Sequence, residues 1–308
     1  MKKGEAAAGG FEASETDAAI TLSYDGAEFL TYHKAEMAPP EGVDPVFKRS
    51  GFIHPLKTPS GAVVTGIHPA DHYHHLGFWH AWVNTKHGDD EHDFWNLKKK
   101  TGRVAYSKTI SVDSTADEAG FVVEQLHIGY KGENQSATTI LREEFTVKTR
   151  MVDGAFEVDY ETKQTNVTDT ALQLPAYRYG GPIAYRAPHH WKTANSDYLS
   201  SEGKTRIDGH TTRSRWISMF GPATEAEDAP IAAVTILGHS ENHDAPQRMR
   251  VWPPNTHDGA IFFNYVPIQE TEWALEPGKT STMRYRLVAQ DGEPDSEALD
   301  ARWNRFTK

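Results

Sequence analysis

A chain of 308 residues, 38% hydrophobic and 24% charged, can bury a sizeable core as one large β domain or two smaller ones, and none of its apolar runs reaches the roughly 18 residues of a membrane span. Its formal net charge of -11 excludes a nucleic-acid backbone or an anionic membrane surface as principal partner, because such binders concentrate positive charge to displace counterions. The absence of cysteine excludes disulfides, thiolate metal sites and a cysteine nucleophile, so any metal must be held by imidazole and carboxylate.

The N-terminus carries two lysines but no apolar stretch of the secretory kind, and small and acidic residues continue to Ala18. A flexible tether is expected over residues 1–18 and one catalytic β-sandwich domain over 19–308. From Ile20 the runs are short, β-branched or aromatic, and fenced by Gly, Pro and Asp. They predict strands at 20–24, 29–32, 62–65, 103–107, 121–128 and 139–147. In Ala155-Phe-Glu-Val-Asp-Tyr160 strict alternation places Phe156, Val158 and Tyr160 on one face and Glu157 and Asp159 on the other, the pattern of a half-buried antiparallel strand. Further strands are expected at 172–174, 231–237, 261–265 and 281–288. Only the C-terminus reads as helix, capped by Asp295 or Ser296, with Leu299, Trp303 and Phe306 at helical spacing as core contacts. Many strands with almost no helix between them predict an all-β fold, one large antiparallel β-sandwich closed by a short C-terminal helix.

Residues 68–95 hold seven of the sixteen histidines and three of the eight tryptophans. Packing does not ask for this, since each buried imidazole needs partners for two nitrogens. On an extended backbone His72 and His74 project to one side and Tyr73 and His75 to the other, so His72 and His74 can present two imidazoles to one divalent metal ion. A third ligand would come from His68, His80, Glu91, His92, His243 or His257. Without metal the same imidazoles can act as general acid and base, and no nucleotide cofactor is expected. His87 and His92, in a Gly-Asp-Asp-Glu loop, read as surface or supporting residues.

Trp79, Trp82 and Trp95 surround the cluster. A tryptophan in a β-protein is more often core than platform, but beside catalytic candidates an indole suits the C–H face of a sugar ring. In Tyr177-Arg-Tyr-Gly-Gly-Pro-Ile-Ala-Tyr-Arg186 the Gly-Gly step would let backbone approach a ligand closely; the bland account is a glycine bulge with arginines paired to surface acids. Arg186 or Arg215 could hold a substrate carboxylate, and His243 could complete the site.

The runs Phe52-Ile-His-Pro-Leu-Lys-Thr-Pro-Ser-Gly61, Asp71-His-Tyr-His-His-Leu-Gly77, Tyr179-Gly-Gly181 with Arg186, Arg215-Trp216 and Glu276-Pro-Gly278 resemble, in order, the bacterial DUF6807 family, sometimes labelled methane-oxygenase-like. The resemblance implies a β-supersandwich like galactose mutarotase and several glycan lyases, frequent export, and occurrence beside carbohydrate-catabolic genes. By motif it points to His54, His72, His74, His75, Tyr179 and Arg186. Tyr73 and Leu76 stand where the pattern leads one to expect proline and arginine, so contacts at that rim differ. The oxygenase label implies a membrane-embedded subunit, for which this sequence has no span.

The expected function is a carbohydrate-active enzyme that cleaves a glycosidic bond of an oxidised or acidic sugar in an oligosaccharide or glycoside, by β-elimination or metal-assisted hydrolysis. A metal or Arg186 would stabilise the enolate, His72, His74 or His75 would take the proton, and Tyr179 or Tyr185 would protonate the leaving oxygen. His54, Trp79, Trp82, Trp95, Tyr185, Arg215 and His243 are the expected substrate contacts. A mutarotase-like epimerase, a non-catalytic sugar-binding module and a non-haem metal oxygenase are the alternatives. A periplasmic or secreted location is expected, with the cytoplasm as alternative.

Overall fold

The computed structural model describes residues 9–131 and 136–308. Two eight-stranded antiparallel sheets face each other. The front sheet runs, in spatial order, through Phe11–Glu15, Ala19–Tyr24, Ala27–His33, Phe52–Leu56, Phe78–Ala81, Gly181–Arg186, Phe262–Tyr265 and Met249–Val251. The back sheet runs through Asp197–Ser200, Trp216–Pro222, Ile231–Gly238, Thr280–Asp291, Ala155–Asn166, Ser136–Val152, Glu118–Lys131 and Gly102–Ser114. A small four-stranded sheet of Trp273–Leu275, Leu172–Leu174, Thr85–His87 and Asp90–His92 stands beside them. The all-β antiparallel architecture is the one the alternating runs predict, and the helix Ser296–Phe306 is the expected one, its first turn capped by the Asp295 carboxylate accepting from the Ala298 amide.

Aromatic rings from the two sheets lock the sandwich together. Phe29 stacks on Phe156 at 4.1 Å, Tyr32 lies 5.0 Å from Phe121, and Tyr265 stacks on Tyr285 at 5.8 Å. Phe11 joins this layer against Phe29 and Phe156, which corrects the expected tether: residues 11–15 pair in register with Ala19–Tyr24, because one buried phenylalanine plus a hairpin partner suffices to order a short edge strand. Residues 1–8 of that tether lie outside the described residues.

Two further expectations are corrected. Residues 62–65 make only an isolated bridge, Lys57 with Val63, and form no strand. Glu157 does not face solvent: the C-terminal helix covers the outer face of its strand, and Arg302 and Arg286 reach the Glu157 carboxylate at 2.6 and 3.2 Å. A buried carboxylate is tolerated there because two guanidiniums replace its lost hydration.

Inside the sandwich lies a polar network that the sequence did not announce. Glu143 accepts from His80 Nε2 at 2.6 Å and His127 Nε2 at 2.8 Å on one oxygen, and from Thr162 on the other. Tyr160 donates its hydroxyl to His80 Nδ1 at 2.7 Å, and buried Arg49 donates to the His80 carbonyl at 2.6 Å. Burial opposes ionisation of Glu143, but the two imidazoles outweigh it and hold the carboxyl well below the usual range. His80 thus faces the core, away from the remaining histidines of its segment.

Candidate active site

The histidine loop is held by its ends. His68 N donates to His75 O at 2.9 Å and Gly77 N to Gly66 O at 2.8 Å, closing residues 67–76 into a compact excursion from the front sheet. Gly77 is required: its φ is 57°, and a Cβ there would lie 2.2 Å from the Ile53 carbonyl. Within the loop His72 N donates to Pro69 O and His75 N to His72 O, so the backbone makes two successive turns. This corrects the extended reading, in which His72 and His74 share one side of a strand. The turns nevertheless gather all three rings. His72 stacks on His75 at 4.6 Å, His74 meets His72 at 5.4 Å and His75 at 4.8 Å, and His257, from the connection between the last two front strands, closes on His72 at 4.6 Å.

The cluster sits at one end of four neighbouring front strands. Its loop leads into Phe78–Ala81, Arg186 ends Gly181–Arg186, Phe262 begins Phe262–Tyr265, and Trp252 follows Met249–Val251. Arg186 forks onto Asp71, with Nη2 to Oδ1 at 2.9 Å and Nη1 to Oδ2 at 3.1 Å, while its guanidinium lies 5.0 Å over Trp252. Asp71 Oδ2 also stands 3.0 Å from His72 Nδ1. Burial opposes ionisation of Asp71, but the hydrogen bond from His72 and the charge of Arg186 outweigh it and keep the carboxylate ionised. Because a carboxylate can only accept, the neutral His72 imidazole keeps its proton on Nδ1, and Nε2 is then the lone-pair acceptor. A cleft of about 460 Å³ opens beside this chain, lined by Pro69, Asp71, Arg186, His189, Lys192 and His257.

Burial, then the nearby His72 and Arg49, pushes His74 down to about 3, and burial, then His74 and Arg186, holds His75 well below the usual imidazole range. Burial and His72 likewise depress His257. His257, Asp258 and Gly259 are three consecutive residues at positive φ, of 49°, 54° and 67°; strain of this kind, about 1–3 kcal/mol for each non-glycine residue, persists where surrounding structure imposes it and concentrates at functional sites. Lys192 fixes Asp258 at 2.9 Å.

Neutral burial of these imidazoles makes the fold acid-sensitive. An imidazole near 6.5 when unfolded and lower when folded contributes stability that is present above about pH 6.5 and is lost as pH falls toward the folded value, about 3 for His74 and about 4 for His54. The depressed carboxyls of Asp71 and Glu143 add a loss of the same sign at lower pH. The urea midpoint should therefore fall steadily between pH 7 and 4, and a constant midpoint over that range would contradict this burial.

The remaining expected site residues divide. Trp79, Trp82 and Trp95 are at most 2% exposed, so they are floor and core, not sugar platforms; Trp79 and Trp95 support His75, and Trp82 donates to Gln164. Tyr185 is buried and donates its hydroxyl to the Val64 carbonyl, which removes it as an acid. Tyr179 contacts Trp95 at 5.4 Å and Tyr177 at 4.9 Å and bonds Asn96, apart from the imidazoles. His54 is hydrogen-bonded to Thr65 and lines a different cleft with Ile67, His189 and Pro230. Arg215 is held by Asp300 at 3.1 Å and Trp303 at 5.1 Å on the helix side, and His243 stacks on Trp273 at 4.3 Å; neither reaches the cluster. Gly180 and Gly181 do not admit ligand, since their missing side chains make room for Val83 and the Tyr265 carbonyl.

Ligand atoms converge within 4.8 Å in two metal-competent groups among the described residues, Asp71–His72–His257 and His80–His127–Glu143. The expected His72–His74 pair is together in neither: His72 falls with Asp71 and His257, and His74 in neither group.

The sequence model of DUF6807, a family of unknown function, matches residues 19–304. The chain belongs to the DUF6807 family. No curated protein matches it. In overall shape this DUF6807 chain is similar to a galactose mutarotase-related enzyme from Lactobacillus acidophilus, with TM-score 0.40, 9% identity, and coverage of 91% of this chain and 97% of that one. It is similar also to a galactose mutarotase-like protein from Clostridium acetobutylicum, with TM-score 0.38, 10% identity, and coverage of 91% and 94%. A polysaccharide lyase is matched at TM-score 0.37 and 12% identity over 96% of this chain, which spans 34% of that lyase's length. Likeness of this grade says nothing about chemistry, which must be read from the DUF6807 chain's own side chains. No helix among the described residues is long and apolar enough to cross a membrane.

Proposed function

We propose that the protein is a carbohydrate-active enzyme that breaks a glycosidic bond of an acidic sugar by proton abstraction and β-elimination, with His72 as base. The observation that carries this reading is the chain Arg186–Asp71–His72: the guanidinium pins the carboxylate, the carboxylate fixes the imidazole tautomer, and Nε2 is left to accept a proton. Buried neutral imidazoles at His74 and His75 support it, because they place no fixed positive charge behind the base. In the proposed step Nε2 takes the proton α to the sugar carboxyl, the electron pair becomes the new C=C bond, and the glycosidic C–O bond breaks. The departing oxygen takes up a proton from the imidazolium or from water. Incubation with a panel of uronic-acid polysaccharides should yield ultraviolet-absorbing unsaturated ends together with new reducing ends. Reducing ends without that absorbance would overturn elimination, and neither product from any substrate would overturn cleavage altogether.

A metal-assisted version is supported by the convergence of Asp71, His72 and His257, a two-imidazole, one-carboxylate donor set that suits a divalent cation. A cation there would compete with Arg186 and His72 for the Asp71 carboxylate, which favours the metal-free version. Chelator-treated protein should keep its turnover within about twofold; loss of turnover restored by a divalent cation would assign Asp71, His72 and His257 to a metal instead.

A further inference from the structure

The two arginines expected to hold a substrate anion are already committed, Arg186 to Asp71 and Arg215 to Asp300. Two others are not. Arg178 and Arg250 each place their guanidinium carbon 5.6 Å from the centroid of the same Tyr179 ring, and Arg178 lies 6.0 Å from Tyr177 as well. Neither makes an ion pair with a carboxylate among the described residues, although the chain carries 43 acidic residues against 32 basic ones. Arg250 is half-buried, and burial together with the facing charge of Arg178 disfavours its cationic form. Two like charges gathered on one aromatic ring without a counter-ion are costly, and a bound anion removes that cost.

We infer that Arg178 and Arg250, stacked on Tyr179, form an anion clamp for a carboxylate or sulfate ester on a second sugar unit, so that the substrate is a polyanionic oligosaccharide. The inference rests on the reading above that a saccharide lies against His72. Tyr179 lies in the bend just before the strand Gly181–Arg186 and Arg186 ends it, and the six residues of that strand, at roughly 3.3 Å each, span on the order of 17–20 Å of backbone. The clamp therefore addresses a different sugar from the one facing the base. Trp95 spans the interval, touching the Tyr179 ring at 5.4 Å and the His74 ring at 6.5 Å.

The test is binding, measured by calorimetry on the whole chain, with three probes of equal length: an oligogalacturonate, its methyl ester as the neutral counterpart, and a sulfated glycosaminoglycan fragment. The wild type should bind at least one anionic probe about ten- to a hundredfold more tightly than the ester. The double variant Arg178→Ala/Arg250→Ala should bring that ratio near one, while Arg215→Ala leaves it unchanged. Which anionic probe binds more tightly tells carboxylate from sulfate. A wild-type ratio near one for both anionic probes, or a ratio undiminished in the double variant, overturns the clamp. Should the double variant misfold, Arg178→Gln alone, at an exposed position, must still lower the ratio several-fold. Arginine-dependent binding without cleavage would leave the clamp standing and sink the lyase reading; cleavage with no anion preference in binding would do the reverse.

Discussion

Replacing Asp71 by asparagine should lower turnover about a hundred- to ten-thousandfold while the chain stays folded. The side chains are nearly the same size, but an amide can present N–H to His72 Nδ1, which moves the imidazole proton to Nε2 and removes the lone pair the reaction needs. His72→Ala should lose activity to the same degree. His189→Ala, on the cleft wall but outside the Arg186–Asp71–His72 chain, should cost much less. Thermal midpoints measured beside the rates separate chemistry from folding, because His72 is partly exposed and its removal opens no closed cavity. Undiminished turnover in Asp71→Asn would show that the tautomer of His72 is irrelevant to the reaction.

The largest stability effect is expected at Glu143, far from the cleft. Its carboxylate is the common acceptor for His80, His127 and Thr162 and sits near the buried Arg49 guanidinium. Glu143→Ala should destabilise the fold by about 3–5 kcal/mol, because it strands several donors and an uncompensated charge between the sheets. Glu143→Gln, which keeps the volume and one carbonyl acceptor, should cost less. Urea unfolding of the three proteins measures this directly, and an alanine variant within about 1 kcal/mol of wild type would mean that the network contributes no net stability. The orphaned His127 Nδ1 and the Gln125 amide beside this network are where such a variant should take up water first.

What was legible in the sequence was local. The C-terminal helix was readable because Asp295 caps it and its apolar spacing lies within eleven residues. The all-β class was readable because period-two alternation repeats along the chain, and His72, His74 and His75 were readable as a site because three imidazoles in four residues exceed what packing asks. What failed was non-local. Asp71 and Arg186 are 115 residues apart, and the partners that bury or occupy the other site candidates are distant in the sequence too. Nothing near Arg215 reveals that Asp300 holds it, and nothing near Trp79 reveals that Phe78–Ala81 is buried on both faces. Glu143 reads as an ordinary polar position in Arg-Glu-Glu-Phe until His80 arrives from the other sheet. Two successive turns, closed by the His72 amide on Pro69 and the His75 amide on His72, and no strand, bring the three rings together.

The claim on which the rest depends is that His72 Nε2 faces a sugar. The most direct measurement is a crystal structure of the folded, slow Asp71→Asn variant soaked with an oligouronide. The account predicts a sugar ring over His72 and His257, with its α carbon about 3–3.5 Å from His72 Nε2 and a further anionic unit reaching toward Arg250. An oligosaccharide seated instead in the cleft of Arg215, His239 and Trp303, with His72 open to solvent, would contradict it.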